Sequence, residues 1–229
     1  MNVFRASLLL GFVFFLFVSC EDSSSGITDD EQNGQKTATA VVDVTNPATG
    51  RIWMDRNLGA SRAATSMADE QAYGDLYQWG RDADGHQNRN SSTTTTLSNS
   101  DQPGNGRFIS ASDSPYDWRR PQNNNLWQGM NGINNPCPSG YRLPTETEWE
   151  EEIDSWISAD SAGAFASPLK LPLAGVRFFN GDLLGGGSYW SGTADGTDSQ
   201  ALYFWGDDND AFMDNGVRAF GYSVRCLKD

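Results

Sequence analysis

Asn135-Pro136-Cys137-Pro138-Ser139-Gly140-Tyr141-Arg142-Leu143-Pro144-Thr145-Glu146-Thr147-Glu148-Trp149 is a proline-punctuated entry into a helix. Thr145 and Glu148 stand three apart, the capping-box spacing. The Thr hydroxyl accepts from the amide at the third helical position, and the Glu carboxylate accepts from the Thr amide. Pro144 disfavours helical backbone at the residue before it, so the helix starts no earlier. Glu146, Glu148, Glu150, Glu151 and Glu152 crowd the first turns, where carboxylates complement the positive helix end. Trp149, Ile153, Trp156 and Ile157 recur at helical spacing and predict one apolar face. Cys137 lies just upstream, placed for a cross-link. The stretch reads as the structural anchor of one globular domain.

Working outward, the 229 residues hold one domain of ordinary size plus a tail. Lys plus Arg is 16 against 30 Asp plus Glu, a net charge of -14. That balance argues against nucleic acid, whose phosphates need clustered cations. It argues equally against an electrostatic hold on an anionic membrane. Eight Trp, twelve Phe and seven Tyr exclude a disordered chain, and with 24 Gly they point to a loop-rich fold with an aromatic core. His86 is the one histidine, so a site needing two would need two chains.

Residues 1–19 have the layout of a secretory signal: Arg5, then an apolar run from Ala6 to Val18 broken by Ser7. The run is too short to span a bilayer. It ends Phe17-Val18-Ser19-Cys20, which resembles a bacterial lipobox, with Cys20 the acylated (palmitate-bearing) first residue of the mature chain. The other reading is a secreted protein cut near Ser19. Several acyl chains suffice for stable attachment, so contact with the membrane is expected through the lipid alone. Residues 20–38 are acidic and polar, a flexible tether. Acids directly after the lipid cysteine resemble surface-export signals, which implies an outward-facing outer-membrane location.

The globular text runs over 39–229. Ala40 to Val44 and Arg51 to Met54 read as a hairpin about the Asn46–Gly50 turn. Residues 82–106 read as a long polar surface loop, and Trp118 and Trp127 as anchors pinning irregular loops. Ser188 to Ser191, Ala201 to Trp205 and Tyr222 to Leu227 are the last strand candidates. Short strands, one good helix and long loops predict a mixed α+β domain. With Cys20 lipidated, Cys137 and Cys226 remain in an oxidising compartment, either bridged or as two buried thiols. A bridge would contribute at most roughly 4–5 kcal/mol by chain entropy.

Gly50-Arg51-Ile52-Trp53-Met54-Asp55-Arg56-Asn57-Leu58-Gly59, Tyr77-Gln78-Trp79-Gly80-Arg81, the Asn135–Thr145 stretch, Tyr189-Trp190-Ser191 and Val224-Arg225-Cys226 together resemble the Fibrobacter succinogenes major paralogous domain, a family of exported bacterial proteins. The likeness covers nearly all of residues 40–229. The Arg-Leu-Pro-Thr-Glu helix entry and the Arg-Cys ending also resemble the formylglycine-generating enzyme fold, a variant of the C-type lectin fold. The resemblance implies a lectin-like, loop-rich domain with its ends close together. It implies no activity.

Four constellations bear on function. A thiol oxidase of the formylglycine-generating type needs a close cysteine pair near the C-terminus, where this chain has Cys226 alone. Asp207, Asp208, Asp210 and Asp214 offer hard oxygen ligands for calcium, against the plainer reading of a solvated acidic loop. Asp82-Ala83-Asp84-Gly85 resembles the opening of a calcium loop but lacks the later Glu, and His86 beside it reads as a structural hydrogen-bonder. Tyr189, Trp190, Tyr203, Trp205 and Phe212 are candidates to stack on a sugar or anchor a protein, against core packing for each. No nucleophile–base triad or phosphate-cradling loop appears. The expectation is a binding module without catalysis or an obligatory cofactor, for a glycan or protein ligand. A thiol-oxidase-like enzyme, a structural envelope or fibre component, and a target protein of a diversity-generating retroelement are the alternatives.

Overall fold

The computed structural model describes residues 39–206 and 210–229. The segment read as a signal peptide, Cys20, the 20–38 segment read as a tether, Asp207 and Asp208 lie outside the described residues. Along the chain come β1 (Asp43–Thr45), β2 (Ile52–Met54), a 3-10 turn (Glu70–Ala72), β3 (Tyr77–Gln78), β4 (Thr93–Thr94), β5 (Phe108–Ile109), β6 (Tyr141–Arg142), α1 (Glu146–Asp154) and α2 (Ser161–Ala166). They are followed by β7 (Val176–Arg177), β8 (Leu183–Leu184), β9 (Gly187–Asp195), β10 (Asp198–Phe204), β11 (Ala211–Gly216), β12 (Gly221–Tyr222) and β13 (Leu227–Lys228). The described chain is mostly sheet and loop with little helix. Strands pair antiparallel except β4 with β5.

The capping box forms as the sequence requires. Thr145 Oγ1 accepts from the Glu148 amide at 3.2 Å, and Glu148 Oε2 accepts from the Thr145 amide at 2.8 Å. Arg142 grips the same carboxylate with two bonds and Arg51 adds a third, which fixes β6 and the β1–β2 turn to the helix start. The helix ends at Asp154, earlier than the apolar spacing predicts. The Ser155 hydroxyl bonds back to the Glu152 carbonyl at 2.6 Å and tightens the final turn. Trp156 is therefore past the helix end, and Ile157 is 87 % exposed. Glu152 is a second departure. It is buried, and it accepts from Asn46 Nδ2 at 2.7 Å and from Trp156 Nε1 at 3.1 Å.

The predicted hairpin forms with Val44 opposite Trp53, but it starts later, leaving Val41 and Val42 exposed. β13 joins its other side in the order β1-β2-β13-β6, so the first and last described strands share one sheet. Cys137 and Cys226 are bonded, with Cα atoms 5.9 Å apart. The bridge ties the helix entry to the chain's end.

β9, β10 and β11 form a three-stranded sheet with a core on each side. Because side chains alternate along a strand, Tyr189 packs with Trp53, Trp149, Leu202 and Phe204, while Trp190 packs with Tyr77, Trp79, Ala201 and Tyr222. β11 falls where the sequence suggested an acidic loop. Ala211 and Met213 turn inward while Phe212 and Asp214 face solvent, so its period of two carries few apolar residues.

The segment read as a polar surface loop, 82–106, is also partly interior: Ala83, His86 and Gln87 are buried. Buried arginines hold such loops. Arg81 bonds Asp84, Gln78 and the carbonyls of Asn105 and Arg107. Arg225, fully buried, bonds the Asn57 side chain and the carbonyls of Met54 and Leu169, and burial lowers its pKa to about 10. Tryptophans do the same with one donor each: Trp118 Nε1 reaches the Trp79 carbonyl at 2.6 Å and Trp127 Nε1 that of Asn134 at 2.8 Å.

Candidate functional site

Two of the five aromatic candidates belong to the core. Tyr189 and Trp190 are 0 % exposed, with the Tyr189 hydroxyl donating to the Pro172 carbonyl and Trp190 Nε1 to that of Tyr77. Adjacent residues of a strand with a core on both faces are both interior, so neither ring can meet a ligand. The other three come together at the surface.

Tyr203 on β10 lies directly opposite Phe212 on β11, so the two rings share one face, with centroids 6.0 Å apart. Trp205 lies 6.4 Å from Tyr203 and nearly parallel to it. Phe212 is 39 % exposed, and Tyr203 and Trp205 are half-buried. The glycines of the preceding turn allow this arrangement. A Cβ at Gly186, which has a φ of +116°, would stand 2.3 Å from the Trp205 ring. Glycine lets the backbone lie against the indole and set its orientation.

Ring contacts continue beyond these three through Tyr222, which is buried, to a second group of partly exposed rings. The Tyr203 and Tyr222 hydroxyls are 3.0 Å apart, and the Tyr222 ring lies 6.3 Å from Phe220. Phe220 in turn meets Phe178 at 5.0 Å and Phe179 at 5.9 Å, and all three phenylalanines are half-buried. Phe178, Phe179 and Phe220 were not among the sequence candidates. The available signal was the Phe178-Phe179 pair, two aromatics in a row just past β7 and before a glycine turn. Polar groups border the belt. Gln200 Nε2 bonds Asn215 Oδ1 at 2.9 Å, and the Tyr203 hydroxyl reaches the Asn215 carbonyl at 3.3 Å. Burial, with Asp214 and Asp198 nearby, pushes the Tyr203 phenol up to about 12, so it stays a neutral donor at neutral pH.

The remaining candidates fall elsewhere. Asp214 is exposed on β11 and Asp210 precedes that strand. Among the described residues no group of three His, Cys, Asp or Glu stands ready to hold a metal. His86 is buried: its Nε2 accepts from the Gln78 amide at 3.0 Å and its Nδ1 lies 2.6 Å from Asp84 Oδ1. Burial, followed by the neighbouring Arg81, lowers its pKa to about 4, so the neutral imidazole serves as a loop staple. Cys226 is fully buried in its disulfide. A shallow depression lined by Thr49, Gly50, Arg51, Ile52, Lys228 and Asp229 carries both signs of charge, with Arg51 paired to Glu148 and Glu151 and Lys228 to Asp43. No helix among the described residues is long and apolar enough to cross a membrane. Comparisons with protein-family models, with curated proteins and with solved structures gave no match.

Proposed function

We propose that this protein is a lipid-anchored binding module that faces outward from the outer membrane and grips a glycan or protein ligand without changing it covalently. The observation that carries the reading is the belt itself: Phe178, Phe179, Phe220, Tyr203, Trp205 and Phe212, in contact directly or through Tyr222, all at least partly exposed. Single exposed apolar residues are ordinary, but a run of packed rings at the surface marks an interaction site. The rings are held by one another, so little conformational entropy is lost when a ligand settles on them.

The lectin-like assignment and membership of the Fibrobacter major paralogous domain family belong to the same proposal. A loop-rich domain, a capped helix after the cysteine stretch and end strands sharing one sheet support it. Cys20 is the proposed anchor. Calcium at Asp207, Asp208, Asp210 and Asp214 enters as a condition of the test.

The test is a glycan array and a panel of surface proteins probed with the purified protein, with and without calcium, beside a Trp205→Ala/Phe212→Ala double variant. The expected result is a ligand whose signal falls at least ~10-fold in the double variant while the melting temperature holds. A ligand indifferent to both substitutions would move the site off the belt and sink the proposal. Mass spectrometry of membrane-extracted protein tests the acyl group on Cys20.

A further inference from the structure

Resting on that reading, we infer that the belt's ligand is an extended segment of a protein partner carrying Lys or Arg among apolar side chains, laid along the outer edge of β11. Charge is the first reason. Every charged residue between Arg177 and Arg218 is an aspartate. The two bordering arginines do not serve the surface. Arg177 is 4 % exposed, stacked over Phe108 at 4.2 Å and bonded to Asn88 and Ser91. Arg218 is 1 % exposed, stacked over Trp79 at 4.4 Å and bonded to Asp198 and Ser199.

Asp214 shares a face with Phe212 and Tyr203, because Ala201 pairs with Asp214 two residues from the Tyr203–Phe212 pair. The ring faces carry negative quadrupole and attract ammonium or guanidinium groups. A carboxylate on the same face adds to that field. A phosphate, a uronic acid or an anionic lipid headgroup meets repulsion there.

Shape supplies the second reason. In the order β11-β10-β9, no strand among the described residues pairs with the outer side of β11. An open edge offers main-chain donors and acceptors to an added strand. Leu183 and Leu184 on β8 are 51 % and 56 % exposed, and the turn that follows them lies against Trp205 through Gly186. That turn enters β9, across β10 from the open edge, so the leucines extend the apolar ground on the far side of the sheet and the edge strand itself is met by Phe212 and Tyr203.

The experiment uses three fluorescent probes on the purified protein at about 0.15 M salt: a short alternating Arg/Leu peptide, the matching Glu/Leu peptide, and cellohexaose as neutral glycan. The Arg/Leu peptide is expected to bind and the Glu/Leu peptide not. Trp205→Ala/Phe212→Ala should weaken binding at least ~10-fold, and Asp214→Asn by ~3-fold with a shallower salt dependence. Glu70→Gln removes the same single charge on the 3-10 turn outside the belt and should leave affinity unchanged. Melting curves confirm that each variant folds, and Phe212→Ser stands in if the double variant does not. Equal losses in Glu70→Gln and Asp214→Asn would mean attraction by net charge alone and overturn the inference, as would failure of the Arg/Leu peptide to bind. Cellohexaose binding that depends on Trp205 would overturn it too, yet leave the binding-module reading standing. Loss of both readings requires that no probe, glycan or protein respond to the belt substitutions.

Discussion

Trp118 and Trp205 mark two regions that use the same residue type in opposite ways. Around Trp118, in the loops from about 77 to 135, the tryptophans are turned inward: the Trp118 indole donates to the Trp79 carbonyl, and the Arg81 guanidinium lies 5.5 Å from the ring centre. Around Trp205, on the β9–β11 sheet, aromatic rings stack on one another and leave their outer surfaces to solvent. The first region has little regular structure and so must satisfy backbone groups with arginine and indole donors. The second has a regular ladder, which satisfies its backbone except along the open edge of β11 and frees its side chains for a partner. Stability should therefore reside in the loops and the cross-link, and recognition in the sheet.

Substitutions in the two regions can break that contrast. Reducing the Cys137–Cys226 bridge, whose partners lie 89 residues apart, should cost up to roughly 4–5 kcal/mol in denaturant unfolding. Arg225→Met should cost roughly 3–4 kcal/mol, because the Met54 and Leu169 carbonyls and the Asn57 side chain lose their buried donor. A cost below ~1 kcal/mol would show that the loops do not depend on guanidinium staples.

The His86 imidazole has a folded pKa of about 4 against 6.5 for an exposed histidine. As pH falls from about 6.5 towards 4, unfolded chains bind a proton that folded chains refuse. The His86 contribution is thus complete above about 6.5 and is lost progressively below it, by at most about 3 kcal/mol. Since the chain has one histidine, its C2 proton resonance should stay constant from neutral pH to about 5. A midpoint near the ordinary value would place the ring in water.

Thr145→Ala should cost about 1 kcal/mol through loss of the cap. Trp205→Ala and Phe212→Ala should each cost less than about 1 kcal/mol while removing ligand binding. A large stability loss there would make the belt core rather than contact surface.

Local chemistry was legible where its causes are local. The capping box and the first hairpin depend on neighbours within about a dozen residues. β11 escaped because a one-sided strand of mixed polarity resembles a loop when its partner is unseen. The interior character of His86 and Glu152 escaped because their partners, Gln78, Asp84, Asn46 and Trp156, are identified by the fold.

The sequence by itself determined the helix entry, the two cysteines available for a bridge and the acidic, aromatic character of the C-terminal third. Tertiary structure alone decided which aromatics are surface and which are core. Tyr189 and Trp190 are as aromatic as Trp205, but their strand has a packed layer on both faces, whereas Tyr203 and Phe212 face solvent on one side. Exposure depends on what other segments cover, and the covering segments lie far away along the chain.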